Sequence, residues 1–195
     1  MIFLTFLISC GEKEPEYTEV KPDFNNQDFV LEQAKKTLGD NVEFAYSGLF
    51  DSDSVLDVSA GTEIVNKDIW GIKFFLLKIN NEKLETEYES DLLEGSFNEC
   101  LIQKIKFPSF PYELIYYNSL DYYLGSGGGE VFSYIVDLNE KEIFYAHLIA
   151  EPDQPVSLFL SENITNNDVK NFFISNFKRD YPTLKVVTSD VDLKY

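Results

Sequence analysis

The 195-residue chain has one histidine, one tryptophan, one methionine and two cysteines, and it sets 16 Lys and Arg against 34 Asp and Glu. Each shortage closes a class of function. A single histidine, His147, leaves no multi-histidine zinc site and no helix motif with two histidines four apart. A Ser-His-Asp arrangement would have to use His147, which sits mid-strand in Tyr-Ala-His-Leu-Ile, and no nucleophile-elbow sequence accompanies it. The formal charge of −18 repels phosphate, so nucleic acid is not an expected partner and anionic lipid would not hold the chain by charge. No apolar run reaches the roughly 20 residues that span a bilayer as a helix. No repeat of fixed period appears, which disfavours solenoids and propellers.

What is present is a core. Hydrophobic residues make up 44% and aromatic residues 15%, well above what a solvated acidic coil carries, so a single folded domain is expected.

The amino terminus is distinctive. Residues 1–9, Met-Ile-Phe-Leu-Thr-Phe-Leu-Ile-Ser, carry no ionisable side chain, end at Cys10 and give way at once to Gly11-Glu12-Lys13-Glu14. A short apolar segment, a small residue and an abrupt polar start describe a secretory signal. Leu7-Ile8-Ser9-Cys10 resembles the lipobox of bacterial lipoproteins. The resemblance implies cleavage before Cys10 and a diacylglycerol thioether on its sulfur. It also implies a location in the cell envelope, with the outer membrane expected and its periplasmic and surface faces both open. Glu12-Lys13-Glu14 is similar to the charged stretch associated with surface export in Bacteroidetes-type lipoproteins. The expected organisation is a signal peptide over 1–9, a lipidated cysteine with an acidic tether over 10–25, and a globular domain over 26–195. Lipidation of Cys10 would leave Cys100 without a disulfide partner, and Cys100 is expected to be a buried apolar thiol.

Periodicity predicts a helix over Gln27–Leu38, capped by Asn26 and ended by Gly39. A second helix is expected after Thr165, whose pairing with Asp168 resembles a capping box, with Val169, Phe172, Phe173 and Phe177 on its apolar face. Strands are expected at 42–50, 70–79, 112–117, 131–138, 143–149, 156–160 and 184–187, the fourth and fifth as a hairpin. Within 82–107, Ser96 and Glu99 suggest a capped helix, favoured over the alternative that Leu101–Phe107 pairs as a strand. The expected fold is α+β, a mainly antiparallel sheet with an amino-terminal and a carboxyl-terminal helix.

Candidate chemistry is sparse. Gly125-Ser126-Gly127-Gly128-Gly129 is followed by Glu130 where a phosphate loop needs Lys and Ser or Thr, so a hairpin loop is expected there. Asp51, Asp53 and Asp57 raise the question of calcium, but Leu56 and Thr62 stand where an EF-hand wants Gly and Glu. Asn163-Ile164-Thr165 matches a glycosylation sequon. Tyr116, Tyr117, Tyr122 and Tyr123, with Gly127 and Gly128, form the candidate surface for a ligand or partner, with core packing as the competing use of the tyrosines. No cofactor or metal is expected, and no catalytic residue is singled out. The reading that follows is a lipid-anchored envelope protein whose domain binds a protein or glycan. The alternatives are a carboxylate-dependent envelope hydrolase and a subunit of an envelope complex.

Overall fold

The computed structural model describes residues 22–67, 69–119, 122–125 and 127–189, without the side chains of 122–125 and Ser189. Cys10 and the expected signal and tether residues before 22 lie outside the described residues.

Helix α1 (Gln27–Leu38) begins where Asn26 Oδ1 accepts the Phe29 N–H at 3.0 Å and ends at Gly39, whose N–H donates to Lys35 O. Packing starts before the helix. Phe24 is already buried, its ring edge-on to Phe29, so the body takes in two residues assigned to the tether by composition. Four strands follow as an antiparallel meander, β1 (Val42–Gly48), β2 (Asp57–Val65), β3 (Trp70–Asn80) and β4 (Lys83–Glu89), paired in that order as sheet A.

Sheet B is built from β5 (Cys100–Ile105), β6 (Leu114–Ser119), β7 (Tyr122–Gly125), β8 (Gly128–Asp137), β9 (Glu142–Ala150), β10 (Ser157–Ser161) and β11 (Lys185–Ser189). Its order is β11-β10-β9-β8-β6-β5, with β7 also pairing β8. Every pair is antiparallel except β10 with β11, whose parallel pairing is reached through helix α2 (Asn167–Asp180). The fold is therefore α+β, mainly antiparallel, with a helix near each end of a single domain.

Side-chain alternation along the strands stacks four layers. On β6, Leu114 and Tyr116 point to α2, where they join Val169 and Phe173, whereas Ile115 and Tyr117 point to sheet A, where they meet Phe44, Phe74 and Leu76. On sheet A, Val58, Ala60, Phe75 and Leu77 turn the other way and bury Val30 and Ala34 of α1. The order is α1, sheet A, sheet B, α2.

Two expectations change, and strand β2 was not among those expected. The segment 96–105 is not a helix: Ser96 Oγ donates at 3.0 Å to Glu63 of β2, which also accepts the Phe97 N–H at 2.9 Å, so the capping signal is consumed across the sheets and Cys100–Ile105 pairs with β6. The strand β2 was hidden by its small residues. The cap of α2 is Asn166, not Thr165: Asn166 Oδ1 accepts from Asp168 N at 2.8 Å and Val169 N at 3.4 Å, while the Asp168 carboxylate accepts from Ser109 Oγ at 2.6 Å. Asn166→Ala is expected to cost about 1 kcal/mol in urea unfolding and Thr165→Ala much less, the reverse of the order the capping box implies.

Candidate functional site

Strand register gives the two-sheet sandwich two polar ends. One end holds Gly48, Asp57, Lys78 and the β8–β9 turn at Asn139; the other holds the β2–β3 turn, the start of β8 and the end of β9.

At the first end the loop after β1 folds through two short turns, with Asp51 Oδ1 accepting Asp53 N at 2.9 Å and Asp53 Oδ1 accepting Val55 N at 2.7 Å. These turns hold Asp51 and Asp53 over Lys78. The ammonium contacts Asp51 Oδ2 and lies 2.9 Å from Asp53 Oδ2 and 3.1 Å from Asp57 Oδ1. Asp57 is fully buried, and among the described residues no donor is aligned with either of its oxygens as a hydrogen bond. Burial pushes its carboxyl up to about 6, against the pull of Lys78. Asp53 moves the other way, to about 2, chiefly through its hydrogen bond to Lys78. Burial would lower Lys78, but the three carboxylates outweigh it and raise the amine. The carboxylate oxygens of Asp51, Asp53 and Asp57 lie within 4.8 Å of one another, the spacing of a cation site. Lys78 supplies the positive charge among them, so the group is built as a lysine clamp.

The clamp is tied to sheet B, because Ser52 N donates to Asn139 Oδ1 at 3.1 Å. Beside Asn139 lies a second buried carboxylate, Asp137, which accepts from Tyr112 OH at 3.0 Å and from Glu140 N at 3.0 Å. Burial raises Asp137, and burial followed by the Asp137 charge raises Tyr112. Both buried acids are thus committed to specific partners.

At the opposite end His147 Nε2 lies 2.9 Å from Glu130 Oε2 and its ring stacks on Phe132, with centroids 4.5 Å apart. Glu94 is raised by burial and then by Glu130. The β2–β3 turn here exposes Val65 (70%), Ile69 (48%) and the only tryptophan, Trp70 (43%).

A pocket of about 440 Å³ opens where β1, β5 and the start of α1 meet. Because β1 is an edge strand, its outward carbonyls need partners. Ala45 O receives the Gln27 amide, and Ser47 O receives Lys104 Nζ at 2.8 Å. Glu113 Oε2 accepts Leu49 N at 3.1 Å, and Lys104 Nζ stands 3.4 Å from the same carboxylate. A Cβ on Gly48 would fall 2.4 Å from Glu113 Oε2, so this approach of the acid to the strand requires glycine.

The residues singled out in the sequence do not converge on one surface. Tyr116 and Tyr117 are buried on opposite faces of β6, in two different cores, and so cannot form a ligand surface. Tyr122 and Tyr123 lie in β7, but their side chains are outside the described residues. Gly127 is exposed in the β7–β8 turn with φ +89°, and Gly128 is buried opposite Gly125. A strand follows the glycines, so no helix terminus faces them. Cys100 is half-buried, its thiol pushed up to about 11 by burial and then by Glu63. The pairing of Gly48 with Glu113 is not readable from the sequence, since the two residues meet only through sheet-to-sheet packing. Comparison with protein families, curated proteins and solved structures gives no match. Among the described residues no helix is long and apolar enough to cross a membrane.

Proposed function

We propose that this chain is a lipid-anchored protein of the bacterial cell envelope, at the outer membrane, whose domain is a non-catalytic module that binds a protein or glycan. Residues 1–10 carry the reading: an uncharged apolar run, Ser9 before Cys10, and a charged stretch directly after it. A diacylglyceryl thioether places two acyl chains in the bilayer, and two chains hold where a single chain binds only reversibly.

The geometry of the body supports this reading. The chain joins the body beside β1, where Ser47 Oγ donates to Phe24 O at 2.5 Å. The exposed Val65, Ile69 and Trp70 stand at the opposite end, presented away from the point of attachment, and tryptophan is enriched where proteins dock.

The test is Cys10→Ala expressed with labelled palmitate. The wild type takes up label and sediments with membranes, while the variant does neither. Label retained by the variant would sink the reading.

A further inference from the structure

We infer that the pocket between β1 and β5 is a binding site for a neutral, hydroxyl-rich ligand, a sugar or a short saccharide. The inference rests on the binding-module reading above and names the ligand class.

The volume of about 440 Å³ falls in the range of small-molecule sites. Its lining is unusual for this chain. In a protein with 50 formal charges from 34 acids and 16 bases, the pocket's only charged side chains among the described residues are Lys104 and Glu113, and they face each other at 3.4 Å. The pair neutralises itself. An anionic ligand would have to compete with Glu113 for the ammonium, and a cationic one with Lys104 for the carboxylate. A neutral ligand faces neither competition, nor the cost of stripping water from a net charge.

The remaining polar lining comes from Asn25, Gln27, Tyr46 and Ser47: the Tyr46 and Ser47 hydroxyls donate to Ile102 O and Phe24 O and keep their oxygens to accept, while Gln27 keeps its amide oxygen and one N–H beyond the bond to Ala45 O. A hydroxyl can donate and accept at once, so adjacent hydroxyls match such a surface better than a group with a single role. Two positions are already fixed. Lys104 is held by Ser47 O, and with its other bond directed to Glu113 it keeps one N–H of its three for a ligand. Glu113 is held by Leu49 N and admitted only because residue 48 is glycine, which leaves carboxylate lone pairs to accept from a hydroxyl. Leu49, 40% exposed, and Leu56 give an apolar rim suited to the C–H face of a pyranose.

The experiment is a nitrogen-15 amide titration of the full chain in a detergent without a sugar headgroup. The probes are glucose, galactose, mannose and N-acetylglucosamine, each raised to millimolar concentrations, with glycine as the zwitterionic control. At least one sugar should give saturable shifts at Gln27, Tyr46, Gly48 and Lys104. Glu113→Gln, which can still accept from Leu49 N, should weaken them at least tenfold, as should Lys104→Met. No saturable shift at these amides, equal shifts in the variants, or saturation by glycine each overturn the assignment. Saturable shifts confined to the Trp70 turn overturn it too, while leaving the binding-module reading standing; palmitate labelling of Cys10 is independent of all these outcomes.

Discussion

Lys78→Met lowers the unfolding free energy by about 3 kcal/mol at pH 7. The magnitude follows from what is left behind. Asp57 is fully buried, its only positive neighbour among the described residues is Lys78 at 3.1 Å, and removal of one member of a buried pair strands the other. Asp53, half exposed, can be resolvated when it loses the same partner, whereas Asp51, whose side chain is only 15% exposed, adds to the loss. In a domain of this size the loss lowers the melting temperature by about 6–12 °C.

The pH dependence gives the sign. Asp57 titrates at about 6 in the folded chain and near 4 when unfolded. Its stabilising contribution is therefore complete below pH 4 and is lost as pH rises through 6. Asp53, lowered to about 2, contributes in the opposite sense, and that contribution disappears only as pH falls from about 4 through 2. Urea unfolding between pH 4 and 7 should show stability falling as pH rises across the Asp57 window. Asp57→Asn removes the Asp57 share of the slope and leaves that of Asp137 and Glu94, which burial also raises, and Lys78→Met steepens it because the stranded carboxyl holds its proton more tightly. A slope unchanged in Asp57→Asn would rule out this carboxyl as its source.

Tyr117→Ala is the second large loss, about 3–5 kcal/mol. The ring is fully buried between the sheets, stacked on Tyr134 with centroids 5.6 Å apart and edge-on to Phe74 and Phe97. Its hydroxyl donates to Ser96 O at 2.9 Å and accepts Ser96 N–H at 3.1 Å, closing the segment between β4 and β5 over the core. Gly95 beside it, at φ +143°, leaves no room for a side chain, since a Cβ would lie 2.5 Å from that hydroxyl. Tyr117→Phe keeps the packing and strands two backbone groups, for a loss of about 1–3 kcal/mol. Hydrogen exchange separates the two effects, because Tyr117→Phe should speed exchange at Ser96 and Phe97 while amides in β8 and β9 stay protected.

The strongly periodic elements were legible. The α1 bounds, the β8–β9 hairpin and the long β3 follow from patterns confined to one element. What was not legible depends on neighbours distant in sequence. Ser96 reads as a helix cap until Glu63, 33 positions earlier, takes its hydroxyl. Ser59, Ala60 and Gly61 give no strand signal because they are small, yet Gly61 is small because Phe44 and Phe97 press on it: a Cβ there would lie 2.1 Å from the Phe44 ring. The adjacent Tyr116 and Tyr117 read as one cluster, but strand alternation sends them to different cores. The pocket was invisible for the same reason as β2, since Gly48 and Glu113 carry no local pattern.

The side-chain caps on β1 have an effect on growth of the sheet. Gln27 and Lys104 occupy the carbonyls through which another strand would dock on that side, and on the other side β4 presents Lys83, Glu85, Glu87 and Glu89. Among the described residues sheet A thus has four strands and is guarded on both flanks, by occupied acceptors on one and by charge on the other. Copies brought together on one surface would meet without a template on sheet A for zipping into a shared sheet.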